Sequence, residues 1–492
     1  MNVLEPASIP IFLTIAALVM TVSVLLSRVS DKAGVPVFLL FLLLGVILGG
    51  RASRVTFENY RDCFVFGNVA LALILFDGGL NTPFDRVREG IAPAAVLASL
   101  GVLGTAGLVA LFAGLFGFST AKACLLGVIV APTDAAAVFS IVRSGGLQLK
   151  KRMAVILELE SGLNDPMAVI LTITLTESLV AGRGVAPAAL LEIPLALAIG
   201  AIAGVVVGYG GRWLLAHAQL PAGGLYPVLT LSVAFFAFGL SEIAKGSGFL
   251  SAYVAAVTIG NGPMPYRGGI LRVHDSAAWL CQIAMYLLLG LLIVPAEMLK
   301  VAPAGIALGL VLAFVARPAI VALCLLPFGY KIREIGYLGW VGLRGAVPIV
   351  LATYPVLAGT EGAQVLFNIV FFIVVVNTLV PGATVRWATA WLGLGLAERS
   401  APPALLDIVS TRILTGSEIV SFSVDSSTAG CGAAISDLPF PPESAAILLI
   451  RNQQLVAPRG STVLAPGDHV YVLCRREDRP LVYLIFGKAE SD

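Results

Sequence analysis

"ESGLNDPMAV", residues 160–169, puts Glu160, Ser161, Asn164 and Asp165 within six positions of a run that otherwise reads as a helix in hydrocarbon. An unpaired carboxylate at the centre of a bilayer costs from about 3 to more than 10 kcal/mol. Either the stretch lies outside a membrane, or its polar residues have partners and a task. Composition decides the first question. The 492 residues are 58% hydrophobic and 12% charged, with a mean hydropathy of +0.96, whereas a soluble domain carries about 25% charged residues. The chain reads as a polytopic all-α membrane protein. Its net charge of +2 offers no basic surface for a nucleic-acid partner.

Charge is unevenly spread. From residue 400 onward 17 of 93 residues are charged, against 43 of the 399 before it, so the last fifth reads as a separate water-soluble module. The six cysteines show no CxxC or Cys/His spacing, and the three histidines are scattered, which argues against a disulfide frame or a zinc site. The first apolar run follows an acidic start with no small-residue cleavage site, which reads as no cleavable signal peptide.

Apolar runs of about 17–25 residues predict thirteen spans, at 8–27, 34–51, 62–81, 91–116, 121–143, 153–180, 187–216, 225–243, 246–261, 273–295, 301–327, 334–356 and 362–391. With the N-terminus outside, the loops on the inner side hold thirteen Lys and Arg, Lys150, Lys151 and Arg152 among them, against seven on the outer side. The positive-inside rule then places the N-terminus outside and the tail in the cytoplasm. Domains are expected at 1–391 (transmembrane), 392–417 (a linker with Pro402 and Pro403) and 418–488 (the tail). In the tail, 417–424, 445–451 and 469–475 read as strands and 427–439 as a short helix, making a small cytosolic α+β domain.

Ionisable residues within spans are functional candidates, each needing a partner. At 1.5 Å per residue, Asp165 lies roughly 18 Å inside its span, Asp134 roughly 14 Å and Arg344 roughly 15 Å, while Asp77 is roughly 6 Å from the cytoplasmic end of span three. Three charges from three helices therefore share the midplane. Two of those helices are interrupted: "VIVAPTDAAAV" (128–138) by Pro132, and "WVGLRGAVPIV" (340–350) by Gly342, Gly345 and Pro348. They are spans five and twelve. With span seven as linker, each is the fifth span of a six-span repeat, the arrangement that marks a transporter binding site.

Residues four apart share a helix face, so Ser161 with Asp165 and Glu160 with Asn164 form two stripes. A dehydrated alkali cation needs several oxygens. Asp165, Asp134, the Ser161 hydroxyl and a freed carbonyl near Thr133 supply them, and Asn164 is expected to fix the unwound segment. Glu160 needs a cation, and Arg344 at the midplane is the expected partner. Arg317 and Glu158 read as interior structural charges.

At these residues the sequence resembles the monovalent cation:proton antiporters of the sodium/proton exchanger superfamily. The motifs are "PTDAAAVFS" (132–140), "LELESGLNDPMAV" (157–169) and "GLRGAVPI" (342–349), and the resemblance covers residues 8–391. It implies thirteen helices in a dimerisation domain and a core domain, inverted repeats, two crossing unwound helices, and a homodimer in the bacterial inner membrane. It implies a site for K+ or Na+ at Thr133, Asp134, Ser161 and Asp165, with Asn164 as the amide of the Asn-Asp pair, Glu160 and Arg344 as a structural ion pair, and Asp77 in the cytoplasmic funnel. The tail, at "GAAISDLPFP" (432–441) and "AAILLIRNQQLVAPRGSTVLAPGDHVYVLCRRED" (445–478), resembles the C-terminal regulatory domain of Trk-type potassium uptake proteins. The combination resembles the NhaP-type potassium/proton antiporters, some of which carry a further domain after this one.

The implied mechanism is competition of one proton and one cation for Asp165. Asn164 in place of a second Asp removes one charge and predicts electroneutral exchange, with no resident cofactor. Potassium is favoured over sodium through the tail alone. The tail also suits a regulatory nucleotide or cyclic dinucleotide, although no residue is assigned to it. A channel is the rival reading, but no filter sequence such as TVGYG occurs.

Overall fold

The computed structural model describes residues 8–33, 36–49, 59–144, 146–182, 187–397, 417–426, 428–452, 454–475 and 477–486. The chain divides into two compact units, the first ending at Ala397.

The first unit is helical. Its helices are α1 (Ser8–Ala33), α2 (Val37–Gly49), α3 (Tyr60–Leu80), α4 (Phe84–Val96), α5 (Val102–Leu115), α6 (Thr120–Val130), α7 (Ala135–Ser144), α8 (Lys151–Val180) and α9 (Pro187–His217). They continue with α10 (Leu225–Ile243), α11 (Gly248–Gly260), α12 (Arg267–Leu291), α13 (Pro295–Val311), α14 (Arg317–Leu325), α15 (Ile332–Trp340), α16 (Val347–Leu357) and α17 (Ala363–Trp391). Every apolar run predicted from the sequence overlaps one of these helices or two consecutive ones. Among the described residues, seven helices are long and apolar enough to cross a membrane. The number is eight if α6 and the following helix, bent by 40°, form one span.

Two π turns and two unwound stretches interrupt the helical runs. The turn Leu97–Gly101 between α4 and α5 is π-helical, as is Leu312–Ala316 between α13 and α14. Residues 131–134 between α6 and α7, and 341–346 between α15 and α16, are not helical. The π turns thus fall in the fourth and eleventh of the predicted runs, and the breaks in the fifth and twelfth. By contrast, Pro166 sits inside α8 without ending it.

Close packing rests on small residues, which let helix backbones approach where lipid supplies no hydrophobic drive. Gly200, Gly204 and Gly208 of α9 run as a stripe against Ser247 and, on α11, Ser251, Ala255 and Thr258, and a Cβ at any of the three would strike that surface. Gly45 of α2 and Gly290 of α12 meet back to back in the same way.

The first residues of the stretch read as a linker are ordered. After α17 the chain turns at Gly393 (φ +64°) and forms β2 (Gly395–Ala397), which pairs antiparallel with β1 (Leu147–Leu149) between α7 and α8. Residues 398–416, where the remainder of that linker falls, lie outside the described residues.

In the second unit the three predicted strands are present as β3 (Ser417–Ser423), β4 (Ala445–Arg451) and β6 (His469–Arg475). With β5 (Gln454–Val456) they form an antiparallel sheet ordered β3-β6-β4-β5. The short helix expected at 427–439 is only a 3-10 turn, Ile435–Asp437. Its flanking backbone is committed to 460–464 through Gly432 N–H to Leu464 O (2.8 Å) and Ile435 N–H to Thr462 O (3.0 Å). A helix the sequence reading missed, α18 (Arg479–Phe486), buries Val482, Ile485 and Phe486 against Phe422, Leu449, Val470 and Val472. The turn before β6 is pinned electrostatically. Arg451 Nε and Nη2 donate to Asp468 Oδ1 and Oδ2 (2.8 and 2.7 Å), and the Ala465 N–H donates to Oδ2 (2.8 Å). Gly467 beside it takes φ +91°.

Burial raises the Asp468 carboxyl, but the Arg451 hydrogen bonds and the Ala465 N–H outweigh it and hold the group below its ordinary range. A carboxyl lowered in the folded state stabilises the fold above its unfolded pKa and loses that contribution as pH falls through its folded value. Arg451→Met is expected to cost on the order of 1–2 kcal/mol. In the full-length protein at neutral pH, hydrogen exchange should read this as about tenfold less protection of the β4 and β6 amides, with the helices of the first unit unchanged.

Candidate functional site

The two breaks meet. The Asp134 N–H donates to Leu343 O (2.8 Å), joining one non-helical segment to the other across 209 residues of sequence. The approach needs Gly345, because a Cβ there would strike the Asp134 carboxylate. Breaking two helices exposes four ends, with free carbonyls at the ends of α6 and α15 and free N–H groups at the starts of α7 and α16. In hydrocarbon each must be met from within the protein.

Arg344 meets the carbonyl ends. Its Nε donates to Val130 O, the last residue of α6 (2.7 Å), and its Nη1 to Gly342 O (2.8 Å). The side chain is fully buried, a cation set against two helix C-termini where the macrodipole favours it. Thr378 Oγ1 of α17 lies 3.2 Å from Arg344 O and 2.7 Å from Val374 O, backing the segment from behind. Asp134 serves an N-terminal end: its Oδ1 accepts from the Ala137 N–H (3.1 Å), as the N-cap of α7. The next free N–H, Ala135, donates to Ser161 Oγ on α8 (3.3 Å). At the start of α16, the Tyr286 phenol of α12 approaches the Ala346 N–H and lies in the field of both Asp134 and Asp165.

The stretch 160–169 faces this crossing from α8. Asn164 Nδ2 donates to Thr133 Oγ1 in the first break (2.8 Å). Asp165 is 8% exposed and coupled electrostatically to Asp134. Its Oδ1 is buried without a hydrogen-bond partner, as is Asn164 Oδ1. Unpartnered buried acceptors are rare and costly, and here two of them lie one residue apart on α8 beside a second carboxylate. Thr133, Asp134, Ser161, Asn164 and Asp165 are thus brought together. Asp77 is not. It lies half-buried near the end of α3, where Asn81 Nδ2 reaches its Oδ1 (3.5 Å) and Asp275 is its charged neighbour.

The expected Glu160–Arg344 pair does not form. Glu160 is bound by Arg317, through Nη1 to Oε1 (2.5 Å) and Nη2 to Oε2 (2.8 Å), with both side chains buried. The reason is the carbonyls freed by the breaks, which occupy Arg344. Arg317, the first residue after the second π turn, reaches over Gly342, where a Cβ would collide with it. Depth arithmetic puts Arg317 within reach without choosing it over Arg344: Arg317 is eight residues from the end of α14, roughly 12 Å, and Glu160 nine from the start of α8, roughly 14 Å. Tyr286 carried no such signal, since one tyrosine in an apolar helix is indistinguishable by sequence from packing.

Residues 15–391 match the family model described as the transmembrane sodium/hydrogen exchanger, and residues 419–487 match the TrkA-C domain. The chain is 36% identical over 475 residues to the K+/H+ antiporter NhaP of Alkalimonas amylolytica, covering 96% of this chain and 82% of that one. It is 37% identical over 500 residues to the K+/H+ antiporter NhaP2 of Shewanella oneidensis, covering 99% and 86%. Among solved structures, the sodium proton antiporter MjNhaP1 from Methanocaldococcus jannaschii at pH 8 superposes with a TM-score of 0.68 at 20% identity, over 78% of this chain and 99% of that one. At that identity the likeness shows the fold alone.

A double-mutant cycle separates the two arginines. Removing one partner of a buried pair costs about 3–5 kcal/mol. Glu160→Gln and Arg317→Met should each lower the thermal midpoint in detergent strongly, and the double variant should lose clearly less than the sum. Glu160→Gln with Arg344→Met should be close to additive.

Proposed function

The chain belongs to the sodium/hydrogen exchanger family, and on that premise we propose that it exchanges a monovalent cation, K+ before Na+, for H+ across the bacterial inner membrane, one for one. The observation that carries the reading is the buried Asp165 carboxylate, with an unpartnered oxygen beside Asp134 where the two helix breaks cross. A bare carboxylate in that place is unfavourable. It is relieved by a proton or by a cation, and a proton on Asp165 removes the charge that would hold the cation. Competition for one group couples the two fluxes.

Each residue has a part. Asp165 and Asp134 supply charge, and the Ser161 and Thr133 hydroxyls with Asn164 Oδ1 supply neutral oxygens, a donor set suited to a dehydrated alkali ion. Asn164 holds Thr133, Arg344 holds the carbonyl ends, and Glu160 with Arg317 ties α8 to α14. With a single Asp at 164–165, one charge is compensated per cycle, hence electroneutral exchange. Asp77 stands nearer the cytoplasmic entrance. Potassium is favoured by the likeness to K+/H+ antiporters over nearly the whole chain.

We read the first unit as thirteen crossings with the N-terminus outside, built as two inverted repeats. The support is the pairing of a π turn with a break in the fourth and fifth spans and again in the eleventh and twelfth. The tail is read as a cytoplasmic regulatory domain that binds a nucleotide or cyclic dinucleotide, and the whole as a homodimer.

In everted vesicles, K+ is expected to collapse a preset pH gradient more strongly than Na+ or Li+, with no dependence on membrane potential. Asp165→Asn should abolish the response while the protein still folds. Retained flux in that variant removes Asp165 from the site, and a response that follows the potential refutes electroneutrality.

A further inference from the structure

On the side of Asp165 toward the start of α8 stands a second carboxyl that the exchange reading leaves without a task. Glu158 shares a face of α8 with Ser161 and Asp165, at positions i, i+3 and i+7, about 10 Å from Asp165 along the axis. It is half-buried. Its Oε1 lies 2.6 Å from Thr82 Oγ1, just past the end of α3, and that hydroxyl lies 2.9 Å from Gly78 O as well.

A hydroxyl has one proton and cannot donate to both. With Glu158 ionised, Thr82 donates to the carboxylate. With Glu158 protonated, the carboxyl donates to Thr82 Oγ1 and Thr82 turns its own proton to Gly78 O. Rotation of one O–H thus satisfies both states of Glu158 without moving a heavy atom. Thr82 itself is buried and held. Its carbonyl accepts from Asn261 Nδ2 (2.8 Å), and Asn261 Oδ1 accepts from the Phe84 N–H (2.8 Å).

Between the two carboxyls on that face lies Gly162, and the Tyr253 ring of α11 rests on it in the space a Cβ would fill. The Tyr253 phenol lies against Thr82 and feels the charge of Glu158. The ring therefore covers the stretch separating Glu158 from Asp165. The charged groups that α4, α14 and α15 bring to α8 are tied to other partners: Glu89 to Lys151, Arg317 to Glu160, and Glu334 to Arg152. From α3 comes Asp77.

We propose that Glu158 carries the proton between Asp165 and the cytoplasm, with Thr82 as its donor–acceptor switch and Tyr253 as the shutter over the path. The inference rests on the exchange reading above. The chemistry is proton transfer alone. In uptake Glu158 takes a proton from cytoplasmic water, and its O–H bond then breaks as one forms at Asp165 by way of water; release runs the same two transfers in reverse. The balance is one proton per cycle with no redox change.

The test is K+-driven proton flux of the full chain in proteoliposomes, as a function of pH. Glu158→Gln should slow exchange by about tenfold or more at alkaline pH, where protons are scarce, and recover as pH is lowered. Thr82→Val should shift the profile in the same direction, and Thr82→Ser, which keeps the hydroxyl, should restore it. A Glu158→Gln variant with the unaltered rate and profile overturns the proposal. So does one slowed equally at every pH, which is the signature of a packing role. Asp165→Asn is run beside them: flux retained there defeats the exchange site itself, whereas silence there with a normal Glu158→Gln profile defeats only the relay.

Discussion

The crossing of two broken helices is the constraint from which the rest of the first unit follows. Two backbones cannot unwind in hydrocarbon unless every freed N–H and carbonyl is met from inside the protein. Here Arg344 takes the carbonyl ends, Asp134 and Ser161 take N–H groups of α7, and Leu343 O takes the N–H of Asp134. The charges are thus sorted by helix polarity, cation to C-terminal ends and carboxylate to an N-terminal end. Beside this arrangement Asp165 Oδ1 and Asn164 Oδ1 on α8 are buried without a hydrogen-bond partner, as is Arg344 Nη2 at the crossing itself. The scaffold thus meets its freed backbone groups while leaving side-chain polar atoms of the crossing unmet.

Much of this was legible in the sequence, because the physics is local. Pro132 and the glycines around Arg344 break helices wherever they fold, and a polar cluster in an apolar run needs partners whatever surrounds it. The meeting of Asp134, Ser161, Asn164 and Asp165 was therefore within reach of depth arithmetic. The partner of Glu160 was not decided by depth, because two arginines lie at similar depth. What decides is the number of freed carbonyls competing for Arg344, which is a property of the folded crossing. The strands of the tail were legible through alternation and turns. The helix expected at 427–439 was a misreading, because the backbone of 432–436 pairs with 460–464, farther along the chain. Tyr286, Thr82 and Tyr253 matter through positions that only the fold creates.

The π turns sharpen a different point. Arg317 follows one directly, and the extra residue in such a turn re-aims everything after it. The other π turn, Leu97–Gly101, is followed by no charge. The same kind of backbone irregularity thus serves an ion pair at one turn and packing at the other: Gly104 of α5 makes way for Ile320 of α14. Backbone pattern and side-chain use have separated.

The two-stranded sheet of β1 and β2 has a mechanical meaning. Leu147 opposes Ala397, and the Lys150 N–H donates to Leu394 O (2.9 Å). The segment leading out of the first unit is thereby stitched to the short connection between α7, capped by Asp134, and α8, which carries Asp165. Any pull or torque on the chain beyond Ala397 is delivered first to that stitch, at the adjoining ends of the two helices that hold the acidic pair. A force on the segment that follows Ala397 would therefore reach the acidic pair through the ends of two helices, with no side-chain contact needed.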